Sequence, residues 1–135
     1  MLQVGVKVFI ENGDGDFLLL RRSEEKYPDT DGVWDIPGGR IDEGSALEEN
    51  LQREVREETG LELKNAPQLI YAQDIILNDQ DRHIVRLTFR GKAQGEVELG
   101  DGEHTEFKWI SLTDMQSLDD LDVYVDEILD RGVFS

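Results

Sequence analysis

Leu2, Val4, Val6, Val8 and Ile10 recur at a period of two, which predicts a half-buried strand at the start of the chain. The turn signals of ENGDGD end it, and FLLLRR follows as a second strand paired with the first in a hairpin. After the polar loop SEEKYPDTDG, the segment VWDIPGG is too short for a helix and sets Pro37 beside Gly38 and Gly39. It reads as a brief strand running into a tight turn. From Ser45 to Thr59 the apolar period lengthens, with Leu47, Leu51 and Val55 four apart and Gly60 as the stop, and this predicts a helix. QLIYAQDIIL and RHIVRLTFRG, separated by NDQD, predict a second antiparallel pair. FKWI predicts a late strand, and two short helices close the chain: SLTDMQSL, N-capped by Ser111, and DLDVYVDEILDRG, stopped by Gly132. Strands before, between and after helices give a mixed α/β layered domain.

The charges on the central helix divide by position. Ser45 and Glu48 have capping-box spacing, and Glu48 and Glu49 suit the positive end of the helix dipole. Glu54, Glu57 and Glu58 are different, because i, i+3 and i+4 spacing stacks them on one face near the negative end. Each such conflict costs ~0.3–1 kcal/mol at an exposed site, which Arg53 and Arg56 offset in part. A solvated acidic face is one account of them. A divalent-cation site is the other, since clustered oxygen ligands on a rigid element suit Mg²⁺ or Mn²⁺ and a bound cation removes the repulsion.

Gly39, followed by Arg53-Glu54-Val55-x-Glu57-Glu58-x-Gly60-Leu61, resembles the signature of the Nudix (MutT-like) hydrolases over residues 39 to 61. Ser45 stands where that signature has its first glutamate, so the bracing of Arg53 departs from the pattern. Trp34, the Pro37-Gly38-Gly39 turn and FKWISLTDM extend the likeness more loosely. The resemblance implies one domain over residues 1–135, a Nudix-type α/β/α sandwich with a mixed β-sheet and a loop-helix-loop motif. It implies Mg²⁺-dependent hydrolysis of a diphosphate bond in a nucleoside diphosphate derivative, with Mn²⁺ as a substitute ion. A nucleoside triphosphate, including an oxidised one, is the expected substrate. Nucleotide sugars, ADP-ribose and dinucleoside polyphosphates are alternatives, as is a non-catalytic nucleotide sensor.

Carried over by position, the resemblance makes Gly38, Glu54, Glu57, Glu58 and Glu103 metal ligands. Glu54, Glu57, Arg53 and Glu103 are the expected catalytic group, with Arg53 orienting the glutamates. Glu54, Glu103 or His104 would take the proton from water. Arg22, Arg40 and His104 are expected to bind substrate.

Composition narrows the partners. The 135 residues carry 14 Lys and Arg against 31 Asp and Glu, a net charge of −17 with pI ≈ 4.3, which argues against duplex nucleic acid and anionic membrane surfaces. The expected partner is a small nucleotide delivered with its cation, to a monomer or homodimer. The absence of cysteine removes disulfides and thiolate metal sites and fits a reducing cytoplasm. MLQVGVKVFI lacks the basic and apolar blocks of a signal peptide.

Overall fold

Strand β1 (Leu2–Glu11) alternates its side chains between two cores. The computed structural model describes residues 1–28 and 32–134, so residues 29 to 31 of the predicted loop and residue 135 lie outside the described residues. Val6, Val8 and Ile10 turn to one core, shared with Leu51 and Val55 of helix α1 (Leu47–Thr59). Phe9 turns to the other, with Met115 of α2 (Leu112–Gln116) and Val125 and Ile128 of α3 (Val123–Asp130). The strand predicted to be half-buried is thus covered on both faces over its second half, and Val6, Val8, Phe9 and Ile10 have no exposed surface. This is the α/β/α sandwich expected from the sequence.

The mixed sheet also contains β2 (Phe17–Arg22), β3 (Trp34–Asp35), β4 (Gly38–Arg40), β5 (Lys64–Leu77), β6 (Arg82–Lys92) and β7 (His104–Ile110). The main order is β3-β2-β1-β6-β5, with β4 on β1 and β7 on β2. Strands β5 and β6 form the predicted antiparallel pair, and β1 runs parallel to β6 from Leu2↔His83 to Glu11↔Lys92.

Five local expectations are corrected. The β1–β2 hairpin is paired only at its base, Glu11↔Phe17, because β1 then pairs with β4 while β2 pairs with β7. Gly38 and Gly39 extend into β4 rather than forming a turn alone, and Gly38 lies so close to β1 that an added Cβ would stand 2.7 Å from Lys7 Cα. Ser45 does not cap α1: its N–H donates to Asp42 O (3.0 Å) in a turn through Gly44 at φ 87°, which delays the helix so that Ala46 is the N-cap, without a side-chain bond. Leu47, placed in that first turn, is 40% exposed and not part of the buried stripe. The late strand begins at His104, earlier than FKWI. Ser111 caps α2 as expected, accepting from Asp114 N–H at 3.1 Å.

Candidate active site

Helix α1 presents Glu54, Glu57 and Glu58 to a groove whose other wall is Gly100, Asp101 and Glu103, the approach to β7. A larger cleft of about 740 Å³ opens beside it, and Glu54, Glu58 and Glu103 line both. Four of the expected acids are therefore brought together by elements far apart in sequence.

Within this group the glutamates have distinct environments. Glu58 is 3% exposed, and its Oε1 accepts from Gly38 N–H at 3.2 Å. Burial pushes its carboxyl up to about 9, helped by Glu54 and opposed by Lys7 and the Gly38 amide. Glu54 stands over Gly39, where an added Cβ would meet its Oε2 at 2.8 Å. Glu57 is half-exposed and receives Arg53 Nη1 at 3.2 Å.

Arg53 is braced without the missing motif glutamate. Its Nη2 donates to Asp42 Oδ2 (3.1 Å) and to Asn50 Oδ1 (3.0 Å), while Nη1 holds Glu57. Asn50 is fully buried and its Oδ1 also accepts Asp42 N–H at 3.1 Å, so it joins the motif loop to the helix. The duty of the missing glutamate is taken by Asp42 and Asn50, neither of which stood out in the sequence.

Asp101 is a second addition. Its Oδ1 accepts the backbone N–H of Glu103 and His104, and its Oδ2 lies 2.8 Å from His104 Nδ1. Ligand atoms of Glu58, Asp101 and His104 lie within 4.8 Å of one another, a spacing that could hold a metal ion. The Tyr27 hydroxyl has its pKa raised by burial and then by the nearby Glu103 charge.

The far side of the larger cleft is a buried charge network. Arg22 spans Asp35 (3.2 Å) and Asp122 (2.9 Å), and Arg86 spans the same two carboxylates at 3.1 and 3.2 Å, closing a ring of four charges. Lys7 joins it through Asp35 at 3.0 Å and donates to the Ile36 and Gly38 carbonyls, both at 3.2 Å. Burial alone would raise the Asp35 carboxyl, but Lys7, Arg86 and Arg22 hold it well below the usual carboxylate range. Asp122 also caps α3, accepting the Tyr124 and Val125 N–H groups at 3.1 Å. Arg22, expected at substrate, lines the cleft, but both of its terminal nitrogens are engaged, one of them also by Gly32 O. The Gly38 carbonyl, expected on metal, accepts from Lys7. Lys7 was legible as a lysine interrupting a valine-rich strand; Asp35, Arg86 and Asp122 carried no such signal.

Arg40 and Arg82 line the cleft, and among the described residues neither has a carboxylate partner. Partial burial and then the like charge of Arg82 lower the Arg40 pKa.

A cation fits the acidic group on chemical grounds. Glu58 is buried beside Glu54 and retains a proton to an unusually high pH, and a divalent ion in that place would take over the proton's role between oxygen ligands.

The NUDIX domain profile matches residues 1–131. A MutT-like protein of Streptomyces ambofaciens is 31% identical over 108 residues, 80% of this chain but only 63% of that relative's length. An RNA pyrophosphohydrolase of Mesorhizobium japonicum is 32% identical over 137 residues, covering 86% of this chain and 78% of the relative. The crystal structure of a MutT protein from Methanosarcina mazei Go1 superposes with a TM-score of 0.82 at 32% identity, over 96% of this chain and 91% of that one. The motif helix, the sandwich around it and these matches together place this chain in the Nudix family.

Proposed function

We propose that the chain hydrolyses a phosphoanhydride bond of a nucleoside triphosphate in the presence of Mg²⁺, releasing pyrophosphate. The observation that carries this is the convergence of Glu54, Glu57 and Glu58 with Asp101 and Glu103 on one groove, beside an arginine-lined cleft from which His104 reaches Glu58 and Asp101. The name of the RNA pyrophosphohydrolase relative supports hydrolysis of a pyrophosphate bond.

Glu54, Glu57, Glu58 and Asp101, with His104, would hold the cation, the Gly38 carbonyl being taken by Lys7. When bound, the cation supplies charge neutralisation at the phosphate oxygens and a more acidic water. Arg53 fixes Glu57, and the Asp101 carboxylate fixes the His104 ring. Glu103 accepts the proton of the attacking water, because it lines both the groove and the cleft and, among the described residues, its carboxylate makes no salt bridge with an arginine or lysine. Arg40 and Arg82 are positioned for the polyanion.

A Mg²⁺-dependent screen against nucleoside triphosphates, nucleotide sugars, ADP-ribose and dinucleoside polyphosphates tests the assignment. Release of pyrophosphate from a triphosphate is expected, whereas two monophosphate products would point to the diphosphate-bridged substrates. Glu57→Gln is expected to lower turnover by orders of magnitude; near-normal Mg²⁺-dependent turnover in that variant would overturn the role of the helix face.

A further inference from the structure

Lys7 lies in the middle of β1 between two valines, and its side chain is 18% exposed on the wall of the large cleft. An ammonium has three donors, and three oxygens surround this one: the Ile36 carbonyl at 3.2 Å, the Gly38 carbonyl at 3.2 Å and Asp35 Oδ2 at 3.0 Å. Two carbonyls and a carboxylate around one positive charge are the donor chemistry of a hard metal ion, with nitrogen at the centre in place of the metal. The neighbouring charges do not call for it. Arg22 and Arg86 already balance Asp35 and Asp122 one for one, so Lys7 brings a surplus positive charge to the place where the ring meets the glutamates. Gly38 makes that link in two directions, its carbonyl accepting from Lys7 and its N–H donating to Glu58 Oε1 at 3.2 Å.

We propose that the Lys7 ammonium is a resident cation: it fills a position among the Ile36, Gly38 and Asp35 oxygens that would otherwise take a metal ion, so the chain binds fewer divalent ions than its oxygen donors could hold. This rests on the metal reading above and adds how the positive charge is divided between a fixed monovalent group and an exchangeable divalent one. A metal on the Gly38 carbonyl would set two like charges against one oxygen, so the exchangeable ion is confined to the groove side, among Glu54, Glu57, Glu58, Asp101 and His104. Unlike a metal, the ammonium is a compact charge on a tethered stem and is in place at any cation concentration.

The test counts Mn²⁺ bound to the full chain without nucleotide, from the loss of the free ion's electron paramagnetic resonance signal. Lys7→Met is expected to bind a further Mn²⁺ ion beyond those of the parent, and Lys7→Arg no more than the parent, because the guanidinium keeps the charge. In Lys7→Ala, added propylammonium should refill the oxygen cage and bring the count back to that of the parent, which a merely structural lysine would not show. An equal count in Lys7→Met and the parent overturns the proposal. So does a Lys7→Met that binds the same number of ions more tightly, since the charge would then act only from a distance. Should Lys7→Met fail to fold, Lys7→Gln, which keeps a donor for one carbonyl, decides by the same count. If the parent binds no Mn²⁺, the metal reading itself fails, and the two failures are told apart.

Discussion

Removing Arg86 is the sharpest probe of what holds the cleft together. Its guanidinium bridges Asp35 and Asp122 at 3.1 and 3.2 Å from a side chain 6% exposed, so Arg86→Met preserves much of the volume and deletes two buried ion pairs. Breaking a buried pair from one side costs about 3–5 kcal/mol because the partner charge is left uncompensated. Here neither carboxylate is stranded. Asp35 keeps Lys7 and Arg22, and Asp122 keeps Arg22 and two helix N–H groups. The expected loss is therefore at the lower end, about 3 kcal/mol.

Asp35→Asn is worse by the same bookkeeping. It leaves Lys7, Arg22 and Arg86 facing the single carboxylate of Asp122, so the cost moves to about 5 kcal/mol. The two residues share one contact, so the double variant should cost less than the sum of the singles by about 1 kcal/mol or more. Urea denaturation at constant m measures all three. A loss below about 1 kcal/mol for Arg86→Met, a smaller loss for Asp35→Asn, or additivity within about 0.5 kcal/mol would refute the closed ring.

The motif glycines should separate stability from activity. Gly38→Ala, at φ 136° and against the β1 backbone, should unfold or severely destabilise the protein in thermal melts, whereas Gly39→Ala meets only the end of the Glu54 side chain and should keep its Tm while losing about tenfold or more in kcat. In metal-free buffer, the Glu58 carboxyl sits near 9 folded against 4.5 unfolded, so it contributes stability in full below pH 4.5 and loses it as pH rises through about 9. Glu58→Gln should flatten that decline in melts run with chelator, and Mg²⁺ binding to the parent should release a proton measurable by calorimetry in two buffers; an unchanged pH slope in Glu58→Gln would count against the buried protonated carboxyl. Asp35 acts in the opposite sense: its lowered carboxyl contributes stability above the unfolded value of 3.8 that is lost with further acidification, a loss Asp35→Asn should abolish.

Periodicity carried the sheet and the helices because apolar spacing is a local signal. The period of two in β1 and the 3.6 period of α1 both survive in the structure, and the acidic face of α1 is where the sequence puts it. Ser45 shows the limit of such reasoning. A serine with a glutamate three residues on satisfies the capping rule, yet Gly44 in a left-handed conformation keeps the chain in a turn until Ala46. The strand partners were less legible still, since β1 takes β6 and β4 as neighbours across long sequence separations and meets β2 only at the hairpin base. The charge ring joins positions 22, 35, 86 and 122, whose side chains have no common spacing and meet only after the sheet and α3 are assembled.

That ring also bears on how so acidic a chain can accept a polyanion. A net charge of −17 repels nucleotides at long range, and screening leaves only groups within about 8 Å effective at physiological salt. Five of the 14 Lys and Arg residues line the one cleft: Lys7, Arg22, Arg40, Arg82 and Arg86. Asp35 and Asp122 offset two of these, leaving 5 − 2 = 3 positive charges on the cleft wall, of which Lys7 also acts on Glu58. Glu54, Glu58 and Glu103 line the remaining side, where burial, helped by Glu54, already holds the Glu58 carboxyl protonated. The cleft is therefore polarised, cationic where arginines can meet an anion directly and acidic where an anion can be met only through a cation. A bare polyphosphate would meet the carboxylates of the acidic end unscreened, so a nucleotide is expected to reach that end only together with its cation.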